Sequence, residues 1–427
     1  MSRTASIEAT GWLPRLRKGA QERFDALGVP KPTDEDWRHT NVEAVAAFTA
    51  THAAPSSASA GALEALPLAS TLPCRAVLLN GRYDASLSTL AGLPGGMRVT
   101  SLATALVENP GAVEPYLGRA ASFEDAPFVA LNTALFEDGV VVTVDAGVAT
   151  AIPLHIVHVA TPGAEPAATH PRTLVIAGSG SRVTVVESFV ALGAGEYLTN
   201  AVTEIVAGPD AHVTHVKIQS EGPEGWHVAT VAGHQARGAR FVSHNVSLGA
   251  RLARNDIGSR LDGPGAECQL YGFYLVDGTQ HVDNHTWLDH AMPNCPSWEL
   301  YKGLLAGRSR AVFNGRIMVR KDAQKTDAKQ SNKNLILGDE ATVSTRPQLE
   351  IFANDVKCTH GATIGRLDEE SLFYLRTRGI GKDEARNVLI RAFADDVIDK
   401  IPLTLVRDVI VDGLHRRLER DFRGLEA

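Results

Sequence analysis

From about residue 128 to residue 366 the hydrophobic positions come in short runs. PLHIVHVA, RTLVIAG, SRVTVVESFVA, NAVTEIVAG, AHVTHVKIQ, ARFVSHNVSL, CQLYGFYLV, AVFNGRIMV and QLEIFANDVKCTHGATIG are among them. Each is rich in Val, Ile, Thr and Phe, and several alternate apolar with polar, the two-residue period of a strand with one buried face. Gly, Asp, Asn and Pro separate the runs. The turns resemble one another at Gly178, Gly208, Gly263, Gly307 and Gly338, the first two 30 residues apart and the last two 31. Corners recurring at that distance suggest stacked coils, a parallel β-helix in which no coil buries its own inward face. An antiparallel sandwich or a jelly roll also has many short strands with glycine turns, so the pattern alone leaves both open. The longer gap from Gly263 to Gly307 implies an insertion in a strict repeat.

The flanks change period. Residues 12 to 28 place Leu13, Leu16, Ala20, Phe24 and Leu27 on one helical face, with Gly28 placed to end it. Thr33 is a candidate N-cap for a second helical piece, TDEDWRHTNVEAVAAF. Thr51 to Ala62 turns to Ala, Ser and Pro and reads as a mobile linker with too little to bury. A strand and turn follow at 75–84 and a short helix at 101–109, and 127–136 leads into the strand-rich centre. After Asp368, a candidate cap, come a short helix stopping at Gly379, a helix over Lys382–Lys400 and a last helix near 403–421. The second has a stripe of Val388, Leu389, Ala392, Phe393, Val397 and Ile398; the third has Val406, Val409, Ile410, Leu414 and Leu418. Arg416, Arg417 and Arg420 suit its C-terminal turns. One reading has this hairpin close the open end of the coil stack; the other makes it a docking surface. Four regions result: 1–50 helical, 51–127 linker and mixed lead-in, 128–366 the β core, and 367–427 helical.

Composition narrows the function. With 44% hydrophobic and 21% charged residues the chain has enough to build a full core. A net charge of −7 argues against a nucleic-acid partner. No apolar run reaches 18 residues, so no membrane span is expected. Met1 to Thr10 lacks the apolar segment of a signal peptide, which makes the cytoplasm the expected compartment. The four cysteines, Cys74, Cys268, Cys295 and Cys358, are scattered without a CxxC pair, which argues against a disulfide framework.

Catalytic signatures are missing. AGSGS at 177–181 lacks the GK[ST] of a phosphate loop, and there is neither HExxH nor GxSxG. Two clusters remain. In DVKCTHGATIG, Cys358 and His360 are two apart and share a face if the run is a strand. Thiolate and imidazole together suit zinc, iron or a sulfur-bearing species, but a closed site needs about four ligands. Either the rest come from elsewhere, or this is a buried cysteine beside a hydrogen-bonded histidine. In HVDNHTWLDH, His281, Asp283 and His285 make either a carboxylate-oriented metal pair or, the favoured reading, a polar sheet edge. His212, His215, His227, His234 and His244 read as surface ladders on neighbouring coils. A carbohydrate-active β-helix enzyme would need clustered carboxylates, for which Asp256, Asp262, Asp277 and Asp283 are candidates.

Four longer stretches carry a resemblance: GVPKPTDEDWRHTNVEA, DGTQHVDNHTWLDHAMPNC, YKGLLAGRSRAVFNGRIMVRKDAQKTDAKQSNKNLILGDEA and LEIFANDVKCTHGATIGRLDEESLFYLRTRGI. They resemble the SufD branch of the SufB/SufD family of iron–sulfur cluster assembly proteins. The resemblance implies a mainly β chain, a right-handed parallel β-helix with N-terminal and C-terminal helical regions. It implies a non-catalytic scaffold in a SufBCD complex, with no cluster stably bound to the isolated chain and a transient Fe–S cluster in the complex. SufB is the implied partner at a heterodimer seam. SufC, the ATPase, would dock on the C-terminal helices, and SufS would deliver sulfur through SufE. Alone, the chain would form a homodimer, and a homomeric iron-binding scaffold is the rival within this reading. His360 is the implied ligand for the nascent cluster at the seam, shared with the partner, and Cys358 is the weaker candidate.

Overall fold

A computed structural model describes residues 11–66 and 72–421, with side chains described through residue 418. Met1–Thr10 and the Arg420 side chain, both read above, lie outside the described residues. Helix α1 (Trp12–Leu27) is followed by 3-10 turns at Glu35–Trp37 and Glu43–Ala47 and by helix α2 (Ala60–Glu64). Strands β1 (Arg75–Leu79) and β2 (Arg82–Tyr83) form a hairpin. Strand β3 (Met97–Ser101) runs into helix α3 (Leu102–Glu108), and helix α4 (Pro127–Leu135) precedes β4 (Gly139–Val144). Then come β5 (Leu154–Ala160), β6 (Ala167–Thr169), β7 (Arg172–Ala177), β8 (Arg182–Ala191), β9 (Tyr197–Ala207), β10 (His212–Gln219), β11 (Gly225–Gln235) and β12 (Arg240–Ser247). The stack continues with β13 (Leu252–Leu261), β14 (Glu267–Val276), β15 (His281–His290), β16 (Pro296–Leu305), β17 (Arg310–Val319), β18 (Asp327–Ile336), β19 (Thr342–Ile351) and β20 (Lys357–Gly365). Helices α5 (Glu369–Thr377), α6 (Lys382–Ile398) and α7 (Thr404–Asp421) follow.

The strands fall into two long sheets. One runs β2-β1-β5-β8-β10-β12-β14-β16-β18-β20; the other runs β19-β17-β15-β13-β11-β9-β7-β4-β3. Pairing is parallel except at β1–β2 and β3–β4. The expected parallel β-helix flanked by helical regions is therefore present, and an antiparallel sandwich or jelly roll is ruled out. The coil is 26 residues from Trp226 to Leu252 and 32 from Arg310 to Thr342. No insertion lies between Gly263 and Gly307. Gly178, Gly208 and Gly263 turn the chain at one edge, whereas Gly307 and Gly338 turn it at the other. The odd spacing compares opposite corners of an unbroken stack. At Gly178 a side chain would meet the Val144 carbonyl oxygen at 2.8 Å, so the corner admits only glycine without a shift.

In-register pairing stacks equivalent side chains into columns. Val183, Val213, Phe241, Cys268, Ser297, Ala328 and Cys358 form one. Two positions along, Val185, His215, Ser243, Leu270, Glu299, Gln330 and His360 form the next. Most of the interior is apolar, but part is polar and wholly enclosed. The Glu187 carboxylate accepts from Thr173 (2.8 Å) and Thr203 (2.7 Å) and meets the Nε2 atoms of His158 (3.0 Å) and His215 (2.8 Å). Lys217 donates to Asn255 Oδ1 at 2.7 Å, and burial lowers its pKa to about 7. His227 Nδ1 lies 2.7 Å from Glu221. His215 and His227 are thus buried among the coils instead of forming surface ladders, and His244 is buried on the outer sheet face against Tyr271; His212 and His234 keep partial exposure.

Each outer sheet face has its own cover. Helices α6 and α7 lie on the face that presents Val186, Val216, Ile218, Val246, Phe273 and Leu304, burying Ile390, Ala394, Val397, Ile398, Ile410 and Leu414 against them. They pack along the side of the stack and do not close its end. The buried stripe of α6 is rotated from the expected one: Val388 is exposed, whereas Ile390 and Ala394 are covered. On the other face, Trp37, Val42, Val45, Phe48 and Phe128 pack on Leu198, Trp226, Val228 and Leu252. Buried Glu204 pairs with Arg172 at 2.5 Å and accepts from the backbone of Gly118, Ala120 and Ala121, tying that loop down. The Ala/Ser segment is docked as well. His52 bridges to Ala168, Ala53 and Ala54 carbonyls accept from Arg82 and Asn80, and Leu63 is fully buried. The reading of 51–62 as a mobile linker is corrected for its first four residues: backbone pairing holds 51–54, whereas most of 55–62 is exposed. The solenoid also recruits β1 from ahead of the 128–366 span, through its parallel pairing with β5.

Burial lowers the pKa of His155, His170 and His244 to about 3, and of His227 and His290 to about 4. Between those values and the unfolded value near 6.5, the unfolded chain binds more protons, so stability falls as pH falls through this window. Each histidine removes up to about 2 kcal/mol by pH 5. Glu299, raised to about 7 by burial, works in the opposite direction between about 4.5 and 7, but as one group against five. Urea unfolding at pH 7 and pH 5 should show a clear net loss. Neither ring nitrogen of His244 has a partner, and the ring stacks on Tyr271. A His244→Phe variant should therefore lose measurably less stability over the same interval.

Candidate functional site

The stack ends at its last coil, whose strand β20 no described element covers. Strand β20 is exposed along nearly its whole length, and β19 is only half-buried. Each is the terminal strand of its sheet, so each has an unpaired backbone edge. Ile351, Phe352 and Ile364 stand in solvent beside these edges. Unpaired edges with apolar side chains are a template for another sheet.

Cys358 and His360 sit on this coil. Both are on the strand face whose earlier members point into the solenoid, and each ends a column. Cys358 is half-buried and packs on the core beside Ala328. Burial raises its thiol pKa and Asp327 adds to the rise, against a backbone hydrogen bond at Ala328. The thiol therefore stays protonated at neutral pH until a metal or base takes the proton. His360 is exposed one register step beyond Gln330. Among the described residues, no group of three or more His, Cys, Asp or Glu is arranged to hold a metal ion. This corner carries two donor side chains on an open rim. A metal or cluster held here needs further ligands from outside the described chain.

The other predicted residues have different surroundings. Asp283 Oδ2 accepts from Thr40 at 2.5 Å and from Arg254 Nη1 at 2.7 Å, while Oδ1 lies 3.2 Å from His285 Nε2. His281 Nε2 is 3.0 Å from the same Thr40 hydroxyl. Burial alone would raise the Asp283 pKa, but Arg254 and His285 hold the carboxyl well below the usual range. This cluster is neither a metal pair nor a sheet edge. It is a buried clamp on a central strand that fastens the N-terminal segment to the sheet. It also explains why TDEDWRHTNVEAVAAF is not one helix: Thr40 is drawn into the clamp between two 3-10 turns, and a buried charged hydrogen bond outweighs local propensity. The four candidate carboxylates are dispersed in the same way. Asp256 shares Arg254, Asp262 pairs with Arg260 and His234, and Asp277 caps its own turn at Gly278. Cys295 is buried, with its Sγ 3.4 Å from the Gly263 carbonyl, and burial raises its pKa.

The enclosed set around Glu187 was missed in the sequence. Its signal was there: Glu187 occupies an inward position of SRVTVVESFVA where alternation calls for an apolar residue.

Comparison with known proteins settles the relationship. Residues 158–393 match the family described as SUF system FeS cluster assembly, SufBD core domain, and residues 3–156 match the SufBD protein N-terminal region. The chain belongs to the SufB/SufD family. It is 31% identical over 399 residues to an iron–sulfur cluster assembly SufBD family protein of Synechocystis, covering 92% of this chain and 88% of that one. It is 32% identical over 415 residues to the iron–sulfur cluster assembly protein SufD of Escherichia coli, covering 96% and 94%. A chloroplastic protein of Arabidopsis thaliana, ABCI7, shares 36% identity over 244 residues, 56% of this chain and 51% of that one. Membership in the SufB/SufD family carries a general role in iron–sulfur cluster assembly.

Replacing Asp283 by Asn leaves buried Arg254 without its carboxylate partner there. The expected loss is about 3–5 kcal/mol in urea unfolding, with cleavage by protease within residues 28–48 appearing before the solenoid unfolds. A Thr40→Val variant should show the same protease pattern with a smaller loss.

Proposed function

We propose that this chain is a non-catalytic scaffold subunit of a SufBCD-type complex, and that its open end coil forms the seam with a SufB subunit. The observation that carries the reading is the position of His360 and Cys358. The imidazole and thiol end two interior columns on a coil with two free sheet edges. A partner solenoid abutting that coil completes the ladders and brings its own ligands to the same corner. The Fe–S cluster is cargo assembled between subunits, with sulfur arriving by way of SufE and SufS. His360 offers a ring nitrogen, and the Cys358 thiol must lose a proton on binding. In the absence of SufB the same edges pair two copies of this chain. No described helix is long and apolar enough to cross a membrane, and we place the complex in the cytoplasm.

The test is co-expression with the SufB and SufC partners, followed by iron and sulfide analysis of the purified complex. His360→Ala should lower cluster content by roughly tenfold or more, with Cys358→Ser giving a smaller loss. Unchanged cluster content in an intact His360→Ala complex overturns the role assigned to this corner.

We further propose that SufC docks on the C-terminal helices. The support is an apolar surface that the solenoid leaves uncovered. Phe373 and Tyr374 on α5 are 67% and 56% exposed, and Val388 and Leu405 are exposed as well. Phe373→Asp with Tyr374→Ser should weaken SufC capture in a titration by about tenfold or more while leaving pairing with SufB intact. Equal SufC affinity would remove α5 from the docking surface.

A further inference from the structure

A cleft of about 940 Å³ lies between the N-terminal segment and the outer face of the sheet that carries β11, β13, β15, β17 and β19. It is far from ordinary for this chain in charge. The sequence holds 49 acidic residues against 42 Lys and Arg, yet the described lining of this cleft contains no carboxylate and four arginines: Arg38, Arg251, Arg308 and Arg310. Arg251 is committed to Glu196 at 2.5 Å and lies over the Trp226 ring. Arg38, Arg308 and Arg310 make no ion pair among the described residues. The nearby acid, Asp283, is already held by Arg254, Thr40 and His285.

One further observation points to a ligand. The indole nitrogen of Trp226, a lining residue only 7% exposed, has no hydrogen-bond partner, although a buried indole N–H ordinarily finds one. Burial is the largest cause lowering the pKa of His281; Asp283 raises it, and Arg310, Arg254 and His39 lower it. Beside the cations lie the hydroxyl residues Thr279, Thr342 and Ser344, and the apolar residues Leu252 and Val312.

Guanidinium groups without partners, hydroxyl donors and no competing carboxylate are the chemistry that binds phosphate oxygens. The apolar lining suits a ligand with a ring or chain in addition. We propose that this cleft binds a small phosphate-bearing ligand of the nucleotide class, its phosphates on Arg38, Arg308 and Arg310 and its apolar part against Leu252 and Val312. The site is separate from the corner at Cys358 and His360 and does not depend on the function proposed for that corner.

The test is calorimetric titration of the full-length chain with inorganic pyrophosphate and with ADP at low ionic strength. Both should bind, ADP the more tightly, and Arg38→Ser with Arg310→Ser should weaken both by about tenfold or more. Arg237→Ser removes a distant exposed cation that is paired with Asp210 and should leave both affinities unchanged. These arginines are exposed, so the variants should fold with the parent's thermal midpoint. Pyrophosphate binding as tightly as ADP would overturn the nucleotide assignment and keep the anion site. Failure of both probes to bind at millimolar concentration, or equal binding by the double variant, would overturn the site itself.

Discussion

A single coil of this chain has no inside. Its inward residues leave water only when the coils above and below lie on it in parallel register, so stacking is the interaction on which every other feature rests. The columns show how strict this is. Gly272 pairs with Tyr301, and a side chain there would fall 2.1 Å from that ring; Gly303 stands in the same relation to Tyr274. Two tyrosines on adjacent coils are each accommodated by a glycine on the other. A slip of one residue would set ring against ring and turn the apolar columns outward. Specific register also makes the polar interior tolerable. Glu187, Lys217 and Glu221 would be prohibitive as isolated buried charges, but stacking delivers the threonine, histidine and asparagine partners they require.

The two outer faces are covered by opposite ends of the chain, and by different physics. The C-terminal helices use an apolar seam centred on Ile390, Ile398, Ile410 and Leu414. The N-terminal region combines apolar packing around Trp37 with buried charge: Arg254 lies 4.4 Å from the Trp37 ring and grips Asp283, while Glu204 holds a loop by its backbone. The N-terminal covering reaches β19 through the Arg346–Glu35 pair but leaves β20 exposed. Cys358 and His360 end their columns on that strand.

How much of this could be read from sequence follows from what was local. Strand runs such as RTLVIAG and the corner glycines are local signals, and they pointed to stacked coils. The α7 stripe was legible because Val406, Ile410, Leu414 and Leu418 keep a simple helical spacing. The failures all involve partners distant in sequence. Gly263 and Gly307 looked like one interrupted repeat because a linear spacing does not reveal which edge a turn occupies. His215 and His227 looked like surface residues because their carboxylate partners, Glu187 and Glu221, lie on other strands or at a corner. Residues 51–54 looked loose because their hydrogen bonds go to Asn80, Arg82 and Ala168. The Cys358–His360 pair was legible as a motif and by resemblance, since two alternate residues of one strand must share a face. Its openness to solvent was not legible, because a helical hairpin that caps the end and one that lies along the side have the same periodicity.

Lys302 illustrates what that placement does mechanically. Its ammonium, buried on β16, donates to the Phe393 carbonyl at 2.9 Å, meets Asp396 at 2.6 Å and lies 4.4 Å from the Phe393 ring. It works as a rivet in a splint, since the apolar seam of α6 and α7 reaches strands from β8 to β18. Six rungs about 4.8 Å apart share any load placed on those helices. A tug there is met as shear over roughly 24 Å of wall, not as peeling of one strand, and so it moves the solenoid as a rigid rod.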